Sequence, residues 1–506
     1  MSQLLYSSTQ AQQAQPETKK LDLPSQPQSF ITPLTLISLF LALTLIAASS
    51  YTALSNQGLG LEGALTLNVF ILAIWAWIFS PLSDTYISLA AALALVILGA
   101  ISTDQFTASL GSSAIWLLLA AVVMAQGLTA SGLTRRLTAQ LISRAKTPRQ
   151  LAHLFNLALF LTVYLVPSPS GRAALALPIY QAMAQPLADR PRLLKALGIL
   201  APSTILVSAV ASFIGAGAHL VTAEILTANG LESIGFLQWM ILGSGLGLAA
   251  SLLVTELVFF LFPAKDSASQ QLQIQLSDLE DPSATPVSGP LSRAEVNMAS
   301  ILAGAIILWC TEPWHGLEPV IVALLGALAA SAPQLGSVSL GPAIKKAPWP
   351  MLIFMAATLA IGTALSQSGA ASWLANSLFA PVQGLGPAGT QAFIVLTIIL
   401  STLAHLVIQS RSARSAVLIP LIISAALPLG VNPVAAAFIS TAAAGFCHTL
   451  TSSAKPVALF ANLPGQETYT PADLLKLSAW LAPLHSALIA LFAFFIWPQL
   501  GLPLYL

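Results

Sequence analysis

Two copies of a short serine–arginine motif lie 242 residues apart, each within an apolar stretch. The first reads Ser168-Pro169-Ser170-Gly171-Arg172 and the second reads Ser410-Arg411-Ser412-Ala413-Arg414. Each motif has a proline six residues beyond its last arginine. A guanidinium is a permanently charged fork that suits carboxylate, sulfate and phosphate oxygens, and serine hydroxyls donate to the same groups. The doubled motif therefore predicts a duplicated site for an anion.

The composition of the chain places these arginines in a membrane protein. Of the 506 residues, 56% are hydrophobic and only 7% are charged, and the mean hydropathy is +0.83. Charged residues make up about a quarter of an ordinary soluble domain, so a soluble globular protein is excluded. An arginine at the bilayer centre costs at least about 2.5–3.5 kcal/mol. Two copies at matching positions therefore indicate a function.

Apolar stretches long enough to cross a bilayer recur along the chain. We predict an all-α polytopic membrane protein with about 11 spans and two re-entrant hairpins, since a spanning helix needs about 20 residues. The predicted spans are 33–53, 67–80, 86–101, 112–131, 199–226, 236–262, 296–310, 318–333, 350–368, 434–462 and 477–497. Cys310 and Cys447 lie in separate apolar regions and are interpreted as packing residues, because two cysteines alone do not have the spacing of metal ligands.

Two polar stretches divide the chain. Residues 1–30 are rich in Gln, Ser and Pro and contain no apolar core of signal-peptide length, which predicts a disordered cytoplasmic tail. Residues 264–294 carry several acids, serines and glutamines and are predicted to form a cytoplasmic linker. This linker separates a first repeat half, 31–263, from a second repeat half, 295–506.

The positive charges predict the orientation of the chain. Most of the 19 Lys and Arg fall in one set of loops, which the positive-inside rule places in the cytoplasm. The opposite loops contain no Lys or Arg and are predicted to lie outside; they are 54–66, 102–111, 228–235, 311–317 and 369–390. This threading places the N-terminus in the cytoplasm and the C-terminus outside.

The charge pattern also predicts the shape of the two segments that carry the motifs. Segment 150–188 has basic residues on both sides, so both of its ends face the cytoplasm. Its arms of about 17 and 15 residues are too short to cross comfortably, which predicts a re-entrant hairpin with the first motif at its tip. Segment 391–428 is flanked by loops without charge, which predicts entry from the outer face. Two opposed hairpins indicate an inverted-topology repeat with a site near the membrane midplane.

The hairpin tips supply the candidate anion ligands. Unpaired N–H groups of each second arm favour an anion, and we interpret Ser170 and Ser412 as N-caps or hydroxyl donors. The alternative is that each arginine pairs with a buried carboxylate or extends to the membrane interface. Only Glu224 and Glu256 are intramembrane acids in this threading, so net positive charge remains. The candidate ligands at the tips are Ser168, Ser170, Gly171, Arg172, Ser410, Arg411, Ser412 and Arg414.

An apolar segment interrupted by small and polar residues follows each hairpin. Residues 212–219 and 444–456 are rich in Gly, Ser and Thr, which favours an unwound helix that faces a cavity. Close helix packing is the alternative explanation for the small residues. His219 and His448 are also candidates for proton coupling, although a membrane histidine is more often a structural hydrogen-bonding group. From these segments the candidate site gains His219, Thr451, Ser452, Ser453 and Lys455.

The order of these parts over residues 60–497 resembles the divalent anion:sodium symporter family, which contains the sodium:sulfate and dicarboxylate symporters. The resemblance includes Gly132–Leu137, its second-half echo Ser368–Leu374, and the closing stretch Tyr469–Lys476. It implies a homodimer in which a transport domain that carries both hairpins slides against a fixed scaffold, which is an elevator mechanism. In the family, the hairpin tips bind sodium and the substrate carboxylates.

Both tips depart from the family pattern, which is Ser-Asn-Thr. Here they read Ser168–Ser170 and Ser410–Ser412, so both asparagines are absent and both threonines are serines. The family's Thr-Pro-x-Asn after the unwound segment is not recognisable either. Arg172 and Arg414 lie two residues beyond the tips, close to where the resemblance places sodium, and a guanidinium there repels a cation. We hypothesise that the arginines replace sodium, which leaves sodium coupling open; no other cofactor or metal is predicted.

The sequence predicts a secondary active transporter for a small anion, either a sulfate-like oxyanion or a di- or tricarboxylate. Sodium-independent uniport, exchange and proton coupling remain open, and the alternative is a sodium-coupled symporter as in the family. A sodium/proton antiporter is disfavoured because the hairpins contain no Asp or Glu.

An enzyme acting on phosphate-bearing lipids is a further alternative. It would need a general base or a metal cluster, and the six His have no ligand spacing, so catalysis is not predicted. The expected setting is a bacterial inner membrane. The expected partners are the anion, the lipid bilayer and a second subunit, without nucleic acid.

Overall fold

The computed structural model describes residues 33–55, 58–264, 272, 274–280, 285–461, 463 and 468–506. The predicted tail, 1–30, and part of the predicted linker lie outside these residues. The described chain is α-helical and contains no β-strand, apart from an isolated antiparallel bridge between Val431 and Tyr505. The predicted all-α class is therefore confirmed.

The described helices of the first half carry the first hairpin in their middle. They are α1 (Pro33–Leu54), α2 (Leu61–Phe79), α3 (Asp84–Ile97), α4 (Thr103–Leu110), α5 (Ser113–Ser131), α6 (Leu133–Ile142), α7 (Pro148–Leu161), α8 (Pro169–Ala184), α9 (Pro191–Val207), α10 (Gly217–Ala228) and α11 (Phe236–Leu261). The arms of the first hairpin are α7 and α8.

The described helices of the second half carry the second hairpin. They are α12 (Arg293–Cys310), α13 (Glu312–His315), α14 (Pro319–Ser331), α15 (Leu340–Lys345), α16 (Trp349–Gln367), α17 (Ala370–Gln383), α18 (Pro387–Leu403), α19 (Arg411–Ala426), α20 (Pro433–Ala443), α21 (Lys455–Ala461) and α22 (Pro471–Leu491). The arms of the second hairpin are α18 and α19.

Ten helical stretches of the described residues are long and apolar enough to cross a membrane. Two of the predicted spans are interrupted, as their predicted unwound segments require. The span 199–226 ends as an α-helix at Val207 and resumes at Gly217, and the span 434–462 is interrupted between Ala443 and Lys455. The small and polar residues in both segments account for the breaks. The arms of the second hairpin, 388–406 and 411–429, are themselves among the ten.

Helix bounds repeat between the two halves around the hairpins. Both bounds of α19 lie 242 residues beyond those of α8, and short 3-10 turns at Thr162–Tyr164 and Ala404–Leu406 keep the same spacing. The helices that follow, α9 and α20, start at Pro191 and Pro433, again 242 residues apart. Proline is favoured in the first turn of a helix because its missing N–H would have no intrahelical partner there. The matched bounds support the predicted repeat.

A second matched feature is a sharp corner before each hairpin. Gly132 joins α5 to α6 with a φ of 82°, and Gly369 joins α16 to α17 with a φ of 72°. Glycine adopts this left-handed conformation without the steric cost of a Cβ atom. A Cβ atom on Gly132 would also lie 2.7 Å from the side chain of Thr285. These corners explain the serine–glycine pairs in the echoed stretches 131–132 and 368–369.

Buried apolar side chains form two large clusters, one around each hairpin. The first cluster joins the second hairpin to α10, α16, α17 and α20. The other cluster joins the first hairpin to α9 and to the chain between Phe446 and Leu481. Each hairpin therefore packs against parts of both halves, which brings the two motifs to the same region.

The end of the linker is fixed to α6 by a buried ion pair. The Arg136 Nε atom donates to a Glu295 carboxylate oxygen at 2.5 Å, and its Nη atoms donate to the carbonyls of Pro286 and Gly289 at 2.9 and 2.8 Å. Glu295 also accepts from the backbone N–H of Ser292, which caps α12. Residues 286–295 are thereby ordered against the first half.

Candidate functional site

Each hairpin tip is a serine-capped helix start. The Ser168 hydroxyl accepts a hydrogen bond from the Gly171 N–H at 3.2 Å, and the Ser410 hydroxyl accepts one from the Ala413 N–H at 3.3 Å. The predicted N-cap roles of Ser170 and Ser412 are therefore wrong by two residues, because α8 and α19 begin directly after Ser168 and Ser410. Ser170 is instead exposed in the first turn of α8, with its hydroxyl open to a ligand.

Ser168 has an unusual backbone conformation. Its φ is 91°, and it is the only non-glycine residue with a positive φ in the part of the chain that the structure describes. Such a conformation costs a residue with a Cβ atom of order 1–3 kcal/mol, and it is commonly retained at binding sites. The strain turns the chain sharply between Pro167 and Pro169 and places the tip of the first hairpin.

The guanidinium group of Arg172 forms hydrogen bonds with protein groups. Its side chain is completely buried, and its N–H groups donate to the carbonyls of Leu159 at 2.7 Å and Ile205 at 2.8 Å, and to the hydroxyls of Thr162 at 2.9 Å and Ser208 at 2.8 Å. These partners belong to the first arm of the hairpin and to the end of α9. The guanidinium therefore ties the two arms of the hairpin to the unwound segment.

Arg414 has the corresponding position in the second hairpin. It is also completely buried, and it donates to the Phe446 carbonyl at 3.2 Å and to the Cys447 sulfur at 2.7 Å, both in the unwound segment after α20. Its Nε atom is buried without a hydrogen-bond partner. Cys447, which we interpreted as a packing residue, is therefore also a polar contact of the second motif.

Arg411 joins the second tip to the first half. Its Nη2 atom donates to the Gly445 carbonyl at 2.5 Å and to the Leu206 carbonyl of α9 at 3.2 Å. Its Nη1 atom is buried and has no hydrogen-bond partner. An unpaired buried donor with a full positive charge is costly unless a ligand satisfies it, so Nη1 of Arg411, like Nε of Arg414, is a candidate donor for an anion.

The three arginines form one region of positive charge. Arg411 is within electrostatic range of Arg172 and of Arg414. Among the described residues, no carboxylate forms an ion pair with any of the three. Glu224 accepts from the Ala114 N–H instead, and Glu256 pairs with Arg149 and His153. The alternative in which buried acids neutralise the motifs is therefore wrong for the described chain.

The two segments that the sequence predicts to be unwound are interrupted in the structure, and both contact the second hairpin tip. Between α9 and α10 the chain passes through two short 3-10 turns, with Ser212 and Ala216 extended, and residues 444–454 are not α-helical. A Cβ atom on Gly217 would lie 3.2 Å from the Ser412 hydroxyl, so the first unwound segment contacts the second tip directly. The second tip therefore contacts segments of the first half.

The remaining predicted ligands divide into packed and accessible groups. His219 is buried, is stacked on Trp239 with the ring centroids 4.9 Å apart, and bonds through Nδ1 to the Ser212 carbonyl at 2.9 Å. These contacts of the His219 ring stabilise the first unwound segment. Ser453 is buried and accepts from the Leu450 N–H at 2.9 Å. The accessible groups are Thr451, which is half-buried, and Ser452 and Lys455, which are exposed.

A separate cavity of about 350 Å³ does not fit an anion. Its lining includes the carboxyl groups of Glu224, Glu312 and Glu318, together with Phe213 and Ser113. Three carboxylates around one cavity repel a negatively charged ligand. The anion site is therefore better placed at the hairpin tips.

The chain matches the sodium:sulfate symporter transmembrane region over residues 34–502, which is nearly its whole length. The chain belongs to this family. Membership in the sodium:sulfate symporter family makes the chain an integral membrane transporter and not an enzyme, as the sequence predicts.

Two individual proteins are also similar to this chain. The chain is 25% identical over 478 residues to a membrane protein of Cupriavidus necator, covering 88% of this chain and 89% of that protein. It is 23% identical over 334 residues to the L-tartrate/succinate antiporter of Escherichia coli strain K12, covering 63% of this chain and 65% of that antiporter, just under two thirds of its length.

A solved structure shares the fold. The YdaH transporter of Alcanivorax borkumensis aligns with a TM-score of 0.54 and 16% identity, covering 84% of this chain and all of that one. At this identity the similarity concerns the fold alone.

The sequence did not predict a cluster of three histidines that the structure contains. His405, His448 and His485 surround the Phe446 ring, with centroid distances of 5.2, 5.0 and 6.3 Å. His405 bonds to the Thr402 carbonyl and the Thr449 hydroxyl, at 2.6 and 2.7 Å. The described residues contain no His, Cys, Asp or Glu group suited to a metal ion. Each of the three histidines lies at least 37 residues from the other two in the chain, so no local spacing could reveal the cluster.

Proposed function

We propose that this transporter exchanges small dianions, namely dicarboxylates or sulfate-like oxyanions, across the membrane without sodium. The observation that carries the proposal is the unneutralised charge of Arg172, Arg411 and Arg414 at the meeting point of the two hairpins. We infer three properties from it: the charge of the substrate, the absence of a sodium site at the tips, and the need for exchange.

The donors at the tips suit an oxyanion. The Arg411 Nη1 atom offers an unpaired, charged N–H group, and the exposed Ser170 hydroxyl and Lys455 ammonium add donors from both halves. The first turns of α8 and α19, each 16 residues long, add N–H groups and the positive ends of two helix dipoles. Several cationic donors and few accessible acceptors favour a ligand with two negative charges.

The residues at the tips do not fit sodium. Sodium is bound by oxygen ligands, and five backbone carbonyls around the tips already accept hydrogen bonds from guanidinium groups. Arg172 uses those of Leu159 and Ile205, and Arg411 and Arg414 use those of Leu206, Gly445 and Phe446. The same guanidinium groups repel a cation at short range. The family name implies a sodium ion that binds and leaves. In this chain the permanent charges of the arginines would take the place of that ion.

The same charge argues for exchange rather than one-way transport. An empty site contains three arginines whose charge no carboxylate neutralises, and moving it through a region of low dielectric is costly. A bound dianion offsets two of the three charges. The site then crosses the membrane more readily when it is occupied in each direction. The relative in Escherichia coli is an antiporter by name, which supports this mode of transport.

Exchange is tested with purified protein in liposomes. External labelled succinate, citrate or sulfate is supplied to vesicles that are either empty or loaded with the same unlabelled anion, in sodium chloride or in choline chloride. We expect uptake of at least one anion into loaded vesicles only, at equal rates in both salts. Strict dependence on sodium would instead identify a symporter as in the family, and equal uptake into empty vesicles would exclude obligate exchange.

We further propose that residues 31–263 and 295–506 are inverted repeats whose hairpins move together by an elevator mechanism in a homodimer. The matched bounds of α8 and α19 support the repeat, and the contact between Ser412 and Gly217 supports joint movement. The proposed setting is a bacterial inner membrane with the N-terminus in the cytoplasm and the C-terminus outside.

The orientation has a direct test. In a variant without Cys310 and Cys447, a cysteine at Trp314, which is 87% exposed in α13, is expected to react with a membrane-impermeant thiol reagent added to intact cells. A cysteine at the exposed residue Arg144, between α6 and α7, is expected to react only after the cells are opened. The opposite pattern would invert the proposed topology.

A further inference from the structure

We propose that the carboxylate of Glu224 is an exchangeable cap of α5, which holds α10 in its present position and which the Ser112 hydroxyl replaces when α10 moves. This inference rests on the proposed joint movement of the hairpins, because α10 begins beside the second tip. It assigns a conformational role to two residues outside both hairpins.

Glu224 supplies a hydrogen bond that the start of α5 needs. Its Oε1 atom accepts from the N–H of Ala114, the second residue of α5, at 2.9 Å. The first N–H groups of an α-helix have no intrahelical partner, and the side chain of the residue before the helix commonly satisfies one of them. At α5 the acceptor instead comes from α10, 110 residues further along the chain.

Ser112 precedes α5 and has the backbone of a capping serine, but its hydroxyl caps nothing. Its φ and ψ are −61° and 145°, close to −67° and 147° at Ser83 and to −68° and 158° at Ser292. The hydroxyls of Ser83 and Ser292 accept from the third N–H of α3 and of α12. That of Ser112 is buried without a hydrogen-bond partner. A rotation about its Cα–Cβ bond brings this hydroxyl within reach of the first N–H groups of α5.

The bond of Glu224 joins a helix at the second tip to a helix that packs elsewhere. α10 begins at Gly217, where an added Cβ atom would lie 3.2 Å from the Ser412 hydroxyl. α5 packs against α12 and α14, and an added Cβ atom on Gly127 of α5 would lie 3.1 Å from the Met298 sulfur of α12. Movement of the second tip relative to α5 therefore breaks the bond between Glu224 and Ala114.

The cavity beside this bond gives the carboxylate room to leave. Ala114 and Glu224 both line the cavity of about 350 Å³, and Glu224 is only half-buried. The carboxyl groups of Glu312 and Glu318 line the same cavity and repel that of Glu224. After release, water solvates the carboxylate and the Ser112 hydroxyl caps α5. Neither end of the broken bond is then left unsatisfied, which lowers the cost of the movement.

A permanent structural cap is the competing role for Glu224. In that case the Ser112 hydroxyl has no function, and its removal affects neither stability nor exchange. Ser337, between α14 and α15, has another buried hydroxyl without a partner, so Ser337→Ala is the matched control for Ser112→Ala. Glu312→Ala is the control for Glu224→Ala, since it removes a carboxylate from the same cavity.

Melting temperatures in detergent test whether the two caps are alternatives. Glu224→Ala and Ser112→Ala are each expected to melt close to the wild-type protein, because the other cap remains. The double variant is expected to lose clearly more than the sum of the two single changes, since α5 then has neither cap. Glu312→Ala combined with Ser112→Ala is expected to show no such excess.

Exchange in anion-loaded liposomes tests the movement. Ser112→Ala is expected to lower the maximal exchange rate about three- to tenfold at an unchanged melting temperature, the size expected for loss of a helix cap. The hydroxyl makes no bond in the present conformation, so this effect arises only in the conformation that follows release of Glu224. Ser337→Ala is expected to keep the wild-type rate.

Three results would overturn the inference. They are a wild-type exchange rate for Ser112→Ala, additive changes in melting temperature, and a Glu224→Ala protein that melts far below the wild type, which would show that Ser112 cannot cap α5. Failure of the wild-type protein to exchange any anion would instead reject the proposed function. The melting temperatures test the two caps independently of that outcome.

Discussion

Replacement of Arg411 by glutamine is expected to weaken anion binding about 10- to 100-fold while the protein stays folded. A charged hydrogen bond contributes about 1.5–3 kcal/mol, which corresponds to this range, and Arg411 has an unpaired buried Nη1 atom to offer. Glutamine keeps an amide donor near the Gly445 carbonyl but removes the charge. The measurement is the concentration of anion that gives half-maximal exchange, together with the melting temperature with and without the anion.

Two further variants sharpen this prediction. Arg411→Lys keeps the charge but loses the fork, so we expect an intermediate affinity. Arg144→Gln removes a positive charge from an exposed position between α6 and α7, and it is expected to leave affinity unchanged. If Arg411→Gln binds the anion as tightly as the wild-type protein, the second tip does not hold the substrate and our assignment of the site is wrong.

Replacement of Arg172 by methionine is expected to destabilise the protein, in contrast to the Arg411 variant. Methionine leaves the carbonyls of Leu159 and Ile205 buried without a donor. Each unsatisfied group costs about 1–3 kcal/mol, so the two together cost about 2–6 kcal/mol. We expect a large fall in the melting temperature in detergent and loss of exchange, since the first hairpin would separate from α9.

The control for this variant is Arg293→Met, at an exposed position at the start of α12. Its melting temperature is expected to remain close to that of the wild-type protein. A stable Arg172→Met protein that binds anion normally but fails to exchange would show that Arg172 acts during movement of the site. A stable variant with no anion binding would place the guanidinium on the substrate instead.

The hairpins could be predicted from sequence because their signals are local. Serine, proline and arginine interrupt an apolar stretch, and basic residues on both sides of 150–188 require its ends to face the same way. The structure has helix–turn–helix elements at both predicted places, α7–α8 and α18–α19. The Gly, Ser and Thr residues in 212–219 and 444–456 likewise predict helix breaks that the structure contains, because small residues and free backbone groups favour an unwound chain.

The roles of individual side chains could not be predicted in the same way. Arg172, Arg411 and Arg414 look equivalent in the sequence, yet only tertiary contacts give Arg172 a full set of acceptors and leave Arg411 and Arg414 each with an unpaired nitrogen. The N-caps lie two residues before the predicted serines, since the exact start of a helix depends on the turn that precedes it.

The sequence alone determined that this is a polytopic α-helical membrane protein with two matched arginine-bearing hairpins. These properties follow from composition, local patterns and charge distribution, which are fixed by neighbours in the chain. Only the tertiary structure decided which charges are satisfied and which histidines meet. Hydrogen bonds and desolvation act between atoms a few ångströms apart, and the fold, rather than the order of residues, brings those atoms together.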